Sequence, residues 1–129
     1  MIVGLGTDIV EVARIARIYD RFGNHFLDKI LTSTEKAYLL HCRPEAIAGH
    51  FAAKEAAVKA LGTGFAYGIG ANSIEVCHQS GGAPQIHFLD AAEVRAQAMG
   101  VCQTFLSISH ERNYAVATVI LEGGKPCQQ

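Results

Sequence analysis

Hydrophobic and polar positions recur with two different periods along the chain, and the places where the period changes mark its elements. Over residues 2–10 the period is two, which predicts a strand with Val3, Leu5, Thr7 and Ile9 on one face and Gly4, Gly6 and Asp8 on the other. The larger apolar residues assign the packed side to the first set, so Asp8 ends the strand on an open side where two glycines admit a ligand or another backbone. Capping of the following helix is the alternative role for Asp8. Over residues 11–22 the period becomes 3.6, with Val12, Ile15, Tyr19 and Phe22 in an apolar stripe, Arg14, Arg17 and Arg21 in a basic one, and Ile18 between them.

A short helical piece over residues 25–30 and a helix over 35–41, capped by Ser33 or Thr34, come next. Pro44 then opens a long helix that Gly62 closes in the left-handed conformation. Its apolar stripe runs through Ile47, Phe51, Val58 and Leu61, with Lys54 near the centre and Glu55 at the margin. Residues 62–70 form a glycine-rich loop, and residues 74–78 and 85–89 read as strands joined through Gly81-Gly82. Asp90 with Glu93 predicts a capping box for a helix ending near Gly100. Residues 102–109 and 114–121 form a second hairpin, with Phe105, Ser107 and Ser109 on one face and His110 at the turn, and residues 123–129 read as a frayed tail.

With 129 residues, 50% hydrophobic and 18% charged, this pattern describes a single α+β domain over residues 1–129. Its sheet is antiparallel or mixed, and its element order is β-α-α-α-β-β-α-β-β. A formal net charge of -1 gives no global attraction to nucleic acid or to an anionic membrane, so an electrostatic partner must be recognised by a local patch. No apolar run is long enough to span a bilayer, and the chain begins with a strand rather than a signal core, which predicts a cytoplasmic protein. The four cysteines, Cys42, Cys77, Cys102 and Cys127, contain no Cys-x-x-Cys pair, and the expectation is reduced, mostly buried thiols. The six histidines lack His-x-x-x-His spacing, and His41-Cys42 with His50 is the nearest approach to a zinc cluster, so no structural zinc is expected.

Charge changes the picture at a few positions. A lysine within an apolar stripe must snorkel, pair or face an anion, because burying an unpartnered ammonium is costly. Glu55 lies four residues before Lys59, which also suits an ordinary helix-surface ion pair. Asp8 and Glu55 together are hard oxygen donors of the kind magnesium accepts, and Lys54, Lys59 and His110 are candidate phosphate contacts. The glycine-rich loop follows a helix C-terminus, where the dipole repels anions, so a phosphate there needs lysines and close backbone approach. The arginine stripe reads either as a solvated face or, with Ile18 exposed beside it, as a docking surface for an acidic helix.

Four segments carry a resemblance. They are Gly4-Leu5-Gly6-Thr7-Asp8-Ile9-Val10-Glu11, Phe51-Ala52-Ala53-Lys54-Glu55-Ala56, Lys59-Ala60-Leu61-Gly62-Thr63-Gly64 and Ser107-Ile108-Ser109-His110. In order and separation they resemble the signature segments of the short, single-domain 4'-phosphopantetheinyl transferases, the holo-(acyl-carrier-protein) synthase family. The resemblance implies transfer of the 4'-phosphopantetheine arm of coenzyme A to a serine of an apo acyl carrier protein, in support of fatty acid biosynthesis, with release of adenosine 3',5'-bisphosphate. It implies magnesium held by Asp8 and Glu55, and catalytic roles for Asp8, Glu55 and Lys59, with Glu55 helping to deprotonate the serine directly or through a bound water. Coenzyme A would be lined by Lys54, Lys59, Gly62, Thr63, Gly64, Ser109 and His110. The carrier protein would dock on Arg14, Arg17, Ile18, Arg21 and Phe22. Short members of the family are similar to one another in forming homotrimers with shared sites. Val10 stands where the longer, two-domain transferases carry a second acidic ligand, and His50 stands where some relatives have arginine.

Two rival readings use the same residues. A non-catalytic module binding an acidic helix needs only the arginine stripe, and predicts carrier binding without cleavage of coenzyme A. A magnesium-dependent nucleotide hydrolase needs only the carboxylates, and predicts nucleotide release without a carrier.

Overall fold

The computed structural model describes residues 1–41 and 43–124, so Cys42, Cys127 and most of the expected tail lie outside the described residues. Two antiparallel sheets share one helical framework. Strand β1 (Ile2–Glu11) pairs with β5 (Tyr114–Gly123), which pairs with β4 (Val101–His110), giving the order β1-β5-β4. Strands β2 (Ile74–His78) and β3 (Pro84–Phe88) form the second sheet. Between β1 and β2 lie α1 (Val12–Phe22), α2 (Asn24–Ile30), α3 (Ser33–Tyr38), α4 (Pro44–Leu61) and a 3-10 turn at Ala71–Ser73, and α5 (Asp90–Ala98) joins β3 to β4. The α+β class and antiparallel pairing hold. The short piece after α1 is a helix in its own right, so four helices rather than three precede β2. Gly123 ends β5 buried instead of starting a tail.

Helix α4 organises the core. It carries alanine at positions 52, 53, 56, 57 and 60, all buried, and lies across β1 and β5 with no solvated face of any width. Ile15, Val58, Leu61, Ile74, Val119 and Leu121 are all nearly or fully inaccessible around it, each stabilising the fold by about 1.5–3 kcal/mol. The approach of β1 to α4 fixes which side of the strand packs. A Cβ at Gly6 would sit 1.9 Å from the Ala56 carbonyl oxygen, and one at Gly4 would sit 2.4 Å from that of Ala60. The glycine face is therefore the packed one, because only a bare backbone fits against the helix. This reverses the face expected from alternation: Leu5 and Ile9 are 65% and 64% exposed.

Helix ends also differ from expectation in detail. Gly62 closes α4 at φ 77°, as its position predicts. The capping box occurs at α3, where Thr32 and Glu35 exchange hydrogen bonds, and not at α5, whose Asp90 lacks a side-chain cap. Cys77 is a free, half-buried thiol, whereas Cys102 is exposed and disulfide-bonded, against the expectation of reduced, buried cysteines. Among the described residues no helix is long and apolar enough to cross a membrane.

Candidate active site

Where β1 passes α4, the fold assembles three of the charged residues singled out in the sequence. Asp8 follows Gly6 on the helix-facing side of β1, so the close backbone approach brings its carboxylate to the flank of α4. Lys59 reaches back from α4 to donate to Asp8 Oδ1 at 2.9 Å and to the Thr7 carbonyl at 3.1 Å. Its side chain remains 52% exposed while that of Asp8 is 16% exposed, so the ammonium keeps an open side toward solvent. Glu55 lies on the same flank, one turn before Lys59.

Electrostatics tie this group together. Burial and then the Asp8 carboxylate raise the Glu55 carboxyl above its ordinary value, while Lys59 and Arg14 pull it down by less. Two carboxylates are thus held in each other's field with incomplete compensation. A hard divalent cation relieves that repulsion, and the oxygen-only donor set is the one magnesium accepts.

Lys54 does not belong to this group, which corrects its expected place on coenzyme A. It is fully buried, and its ammonium donates to Glu35 Oε1 at 2.6 Å and to the carbonyls of Ala71 at 2.8 Å and Ile74 at 2.6 Å. All three N–H groups are used, and no donor remains for a phosphate. Glu35 is also fully buried, its second oxygen accepting from the Val76 backbone N–H.

Other expected coenzyme contacts lie in three separate places. Gly62 and Thr63 line a cavity of about 540 Å³ shared with Tyr67 and with Val94 and Arg95 of α5. Ser109 shares the outer face of the sheet with Phe105 and Ser107, while His110 points to the opposite side. There it lines a cavity of about 280 Å³ with Gly49, His50, His78 and Tyr38. Within one chain, then, His110 lies across α4 from the Asp8–Glu55 flank.

His50 is a residue whose surroundings the sequence did not reveal. Its Nδ1 donates to the Ala46 carbonyl at 3.0 Å, its Nε2 is buried with no partner, and burial lowers its pKa. His78 stacks on Tyr38 at 4.1 Å and sits 5.4 Å from His50, ring to ring. Strand alternation around His78 was the available signal, since it places that side chain inward with Ile74 and Val76.

The arginines of α1 separate into different environments. Arg14 acts on Glu55, Arg17 pairs with Glu11 at 3.5 Å, and Arg21 lies over the Phe22 ring at 5.3 Å. Phe22 is 51% exposed instead of completing the apolar stripe, so it joins Arg21 on an accessible face with Ile18 partly covered beside it.

Known proteins share both the sequence and the fold. Residues 4–119 match the family model described as the 4'-phosphopantetheinyl transferase superfamily. The chain is 52% identical over 122 residues to a holo-(acyl-carrier-protein) synthase of Desulfovibrio desulfuricans, covering 95% of this chain and 98% of the relative. It superposes with TM-score 0.86 and 35% identity on a holo-(acyl-carrier-protein) synthase of Neisseria meningitidis, covering 95% of this chain and 99% of the other. A Helicobacter pylori holo-(acyl-carrier-protein) synthase in complex with coenzyme A aligns with TM-score 0.83 and 30% identity, covering 92% and 99%. The signature segments that carry the resemblance thus sit in a matching fold along nearly the whole chain, which belongs to the 4'-phosphopantetheinyl transferase superfamily.

Proposed function

We propose that the chain transfers the 4'-phosphopantetheine group of coenzyme A to a serine of an apo acyl carrier protein. The carrying observation is the convergence of Asp8, Glu55 and Lys59 where β1 meets α4, in a chain similar over its length to holo-(acyl-carrier-protein) synthases. In the reaction the serine oxygen bonds to the phosphorus that bears the pantetheine arm. The bond from that phosphorus to the bridging oxygen breaks, and its electron pair leaves on adenosine 3',5'-bisphosphate.

Asp8 and Glu55 would hold magnesium, which when bound supplies charge neutralisation for the diphosphate. Glu55 would help to deprotonate the serine, directly or through a bound water, from the flank it shares with Asp8 and Lys59. Lys59, half-exposed and already oriented by Asp8 and the Thr7 carbonyl, would contact the diphosphate as charge moves to the leaving group. Arg21, Phe22 and Ile18 supply an accessible basic and apolar face for the acidic helix of the carrier, with Arg14 between that face and Glu55.

A homotrimer is part of the same reading. Leu5, Ile9, Phe105, Tyr114 and Val116 are all exposed, and Leu5 and Ile9 of β1 face the partners Ile120 and Val116 on β5, so the sheet presents an apolar outer face suited to another copy. A neighbouring chain seated there would cover that apolar face, and the sites would then be shared between chains. A cytoplasmic setting and a role in fatty acid biosynthesis go with the proposed substrates.

Incubation with coenzyme A, magnesium and apo carrier protein, followed by intact mass measurement of the carrier, tests the reaction. The expected result is the mass of one phosphopantetheine added at a single serine, lost in both Asp8→Ala and Glu55→Ala. Nucleotide release without modification of the carrier would overturn transfer in favour of hydrolysis. Sedimentation of the purified protein tests the assembly, and a monomer at the concentration that supports transfer would remove the shared site.

A further inference from the structure

The second sheet carries a cluster of metal-type ligands that the proposed transfer does not use. Glu75 and Cys77 are two residues apart on β2 and so share a face, and the β2–β3 register sets His87 directly opposite Glu75 on that same face. The other face of the hairpin, with Ile74, Val76 and Ile86, packs into the core, which leaves the three ligands half-buried or exposed at the surface. Cys77 Sγ lies 3.7 Å from Glu75 Oε1 and 3.6 Å from His87 Nδ1, and the ligand atoms of all three residues lie within 4.8 Å of one another.

These separations can be compared with those of a tetrahedral ion. Zinc–sulfur bonds of about 2.3 Å and zinc–nitrogen or zinc–oxygen bonds of about 2.0–2.2 Å put tetrahedral ligand atoms roughly 3.5 Å apart. Both distances from the sulfur match that value within a few tenths of an ångström. The carboxylate is also oriented: Thr32 Oγ1 donates to Glu75 Oε2 at 2.7 Å, which leaves Oε1 turned toward Cys77. A supporting hydrogen bond of this kind is a regular companion of metal-binding side chains.

A Cys–His pair can alternatively serve as a nucleophile and its base. The geometry points to a different use. We propose that Glu75, Cys77 and His87 form a binding site for one divalent ion of the zinc class, with a water completing four-fold coordination. Thiolate, imidazole and carboxylate together select such an ion over magnesium, so this site and the Asp8–Glu55 pair take different metals. The ion cross-links β2 to β3 and, through Glu75 and Thr32, to the start of α3. Sequence spacing concealed the site because its histidine comes from the paired strand.

The test uses the full chain, reduced at exposed thiols, with Co²⁺ as a spectroscopic probe and Zn²⁺ as competitor. The expected result is one equivalent of Co²⁺ giving a thiolate charge-transfer band and the intense visible bands of tetrahedral cobalt, both abolished by Zn²⁺ and unaffected by excess Mg²⁺. Cys77→Ser and His87→Ala, each checked for native ellipticity, should weaken binding by more than the roughly 10–100-fold that loss of a supporting partner costs. Thr32→Ala should fall within that roughly 10–100-fold range and Thr32→Ser should restore binding. Asp8→Ala should keep the cobalt spectrum. Absence of the thiolate band, or its survival at full intensity in folded Cys77→Ser or His87→Ala, would overturn the proposal.

Discussion

Lys54→Met separates a structural lysine from a coenzyme-binding one. In the native fold the Lys54 ammonium lies in a site with no solvent access and meets Glu35 at 2.6 Å. Methionine keeps most of the stem volume and removes the charge and three hydrogen bonds. It leaves the Glu35 carboxylate with only the Thr32 and Val76 N–H donors and strands the Ile74 carbonyl, while the Ala71 carbonyl keeps the Ile74 N–H. Breaking a buried ion pair from one side costs about 3–5 kcal/mol. For a chain of this length an unfolding entropy near 2.1 cal/mol/K per residue turns that into a Tm decrease of roughly 11–18 °C. Burial alone lowers the Lys54 pKa and Glu35 opposes that shift, so removing Glu35 in place of Lys54 should be no milder. The double variant Lys54→Met/Glu35→Gln should recover part of the loss, with a coupling of about 1–3 kcal/mol in denaturant titrations. KM for coenzyme A in the folded single variant should stay near that of the native enzyme. A stability loss under about 1 kcal/mol, the range of an exposed pair, together with a tenfold rise in KM for coenzyme A, would refute this account and return Lys54 to the nucleotide.

Other perturbations probe the remaining contacts. Gly6→Ala drives a Cβ into the Ala56 carbonyl, where no side chain can yield, so it should cost more than about 3 kcal/mol, while Gly81→Ala, with open space around it, should stay within about 0.5 kcal/mol in the same denaturant assay. Burial lowers the pKa of both His50 and His78, so the folded state binds their protons more weakly than the unfolded chain does. Stability should therefore be full above the ordinary histidine value of 6.5 and decline as pH falls from there through the lowered values, by up to about 1.4 kcal/mol per pH unit per proton. A denaturant midpoint that declines as steeply in His50→Gln/His78→Gln would contradict this. Arg21→Glu should raise KM for the carrier by up to roughly 30-fold, losing one attraction of about 1 kcal/mol and gaining one repulsion, with the effect shrinking in high salt and KM for coenzyme A unmoved. Equal effects on both substrates would remove the docking face.

Much of the architecture is legible in local sequence because its determinants are local. The period change after Val10, the Pro44 start and the Gly62 stop of α4, and the glycines between β2 and β3 each act within a few residues. Misreadings came where a distant element decided. Alternation in β1 gives two faces but not which one packs, and the choice rests on alanines of α4 whose carbonyls admit only glycine. Leu5 and Ile9 are left on a face that a second chain is proposed to cover. Lys54 stands where the helical stripe puts it, yet its partner Glu35 is 19 positions earlier, on α3, and no spacing rule joins them. The arginines of α1 share one stripe in sequence but have three different neighbours in space.

Taken together, the buried pair and the glycine face explain how the carboxylates come to be aligned. Successive side chains on an α-helix diverge by about 100°, so the rotation of α4 about its axis cannot be set for Lys54 without also being set for Glu55. Lys54 fixes that rotation from the inside, through Glu35 of α3 and the carbonyls of Ala71 and Ile74 beside β2. Gly4 and Gly6 fix the separation from the other side, by letting β1 approach until only backbone lies between strand and helix. Asp8 is two residues beyond Gly6 and Glu55 one residue beyond Lys54, so both constraints end on the carboxylates. Neither anchor touches a reacting atom, yet each is required for Asp8, Glu55 and Lys59 to meet. Loss of either should therefore lower kcat through misplacement before it changes the affinity for either substrate.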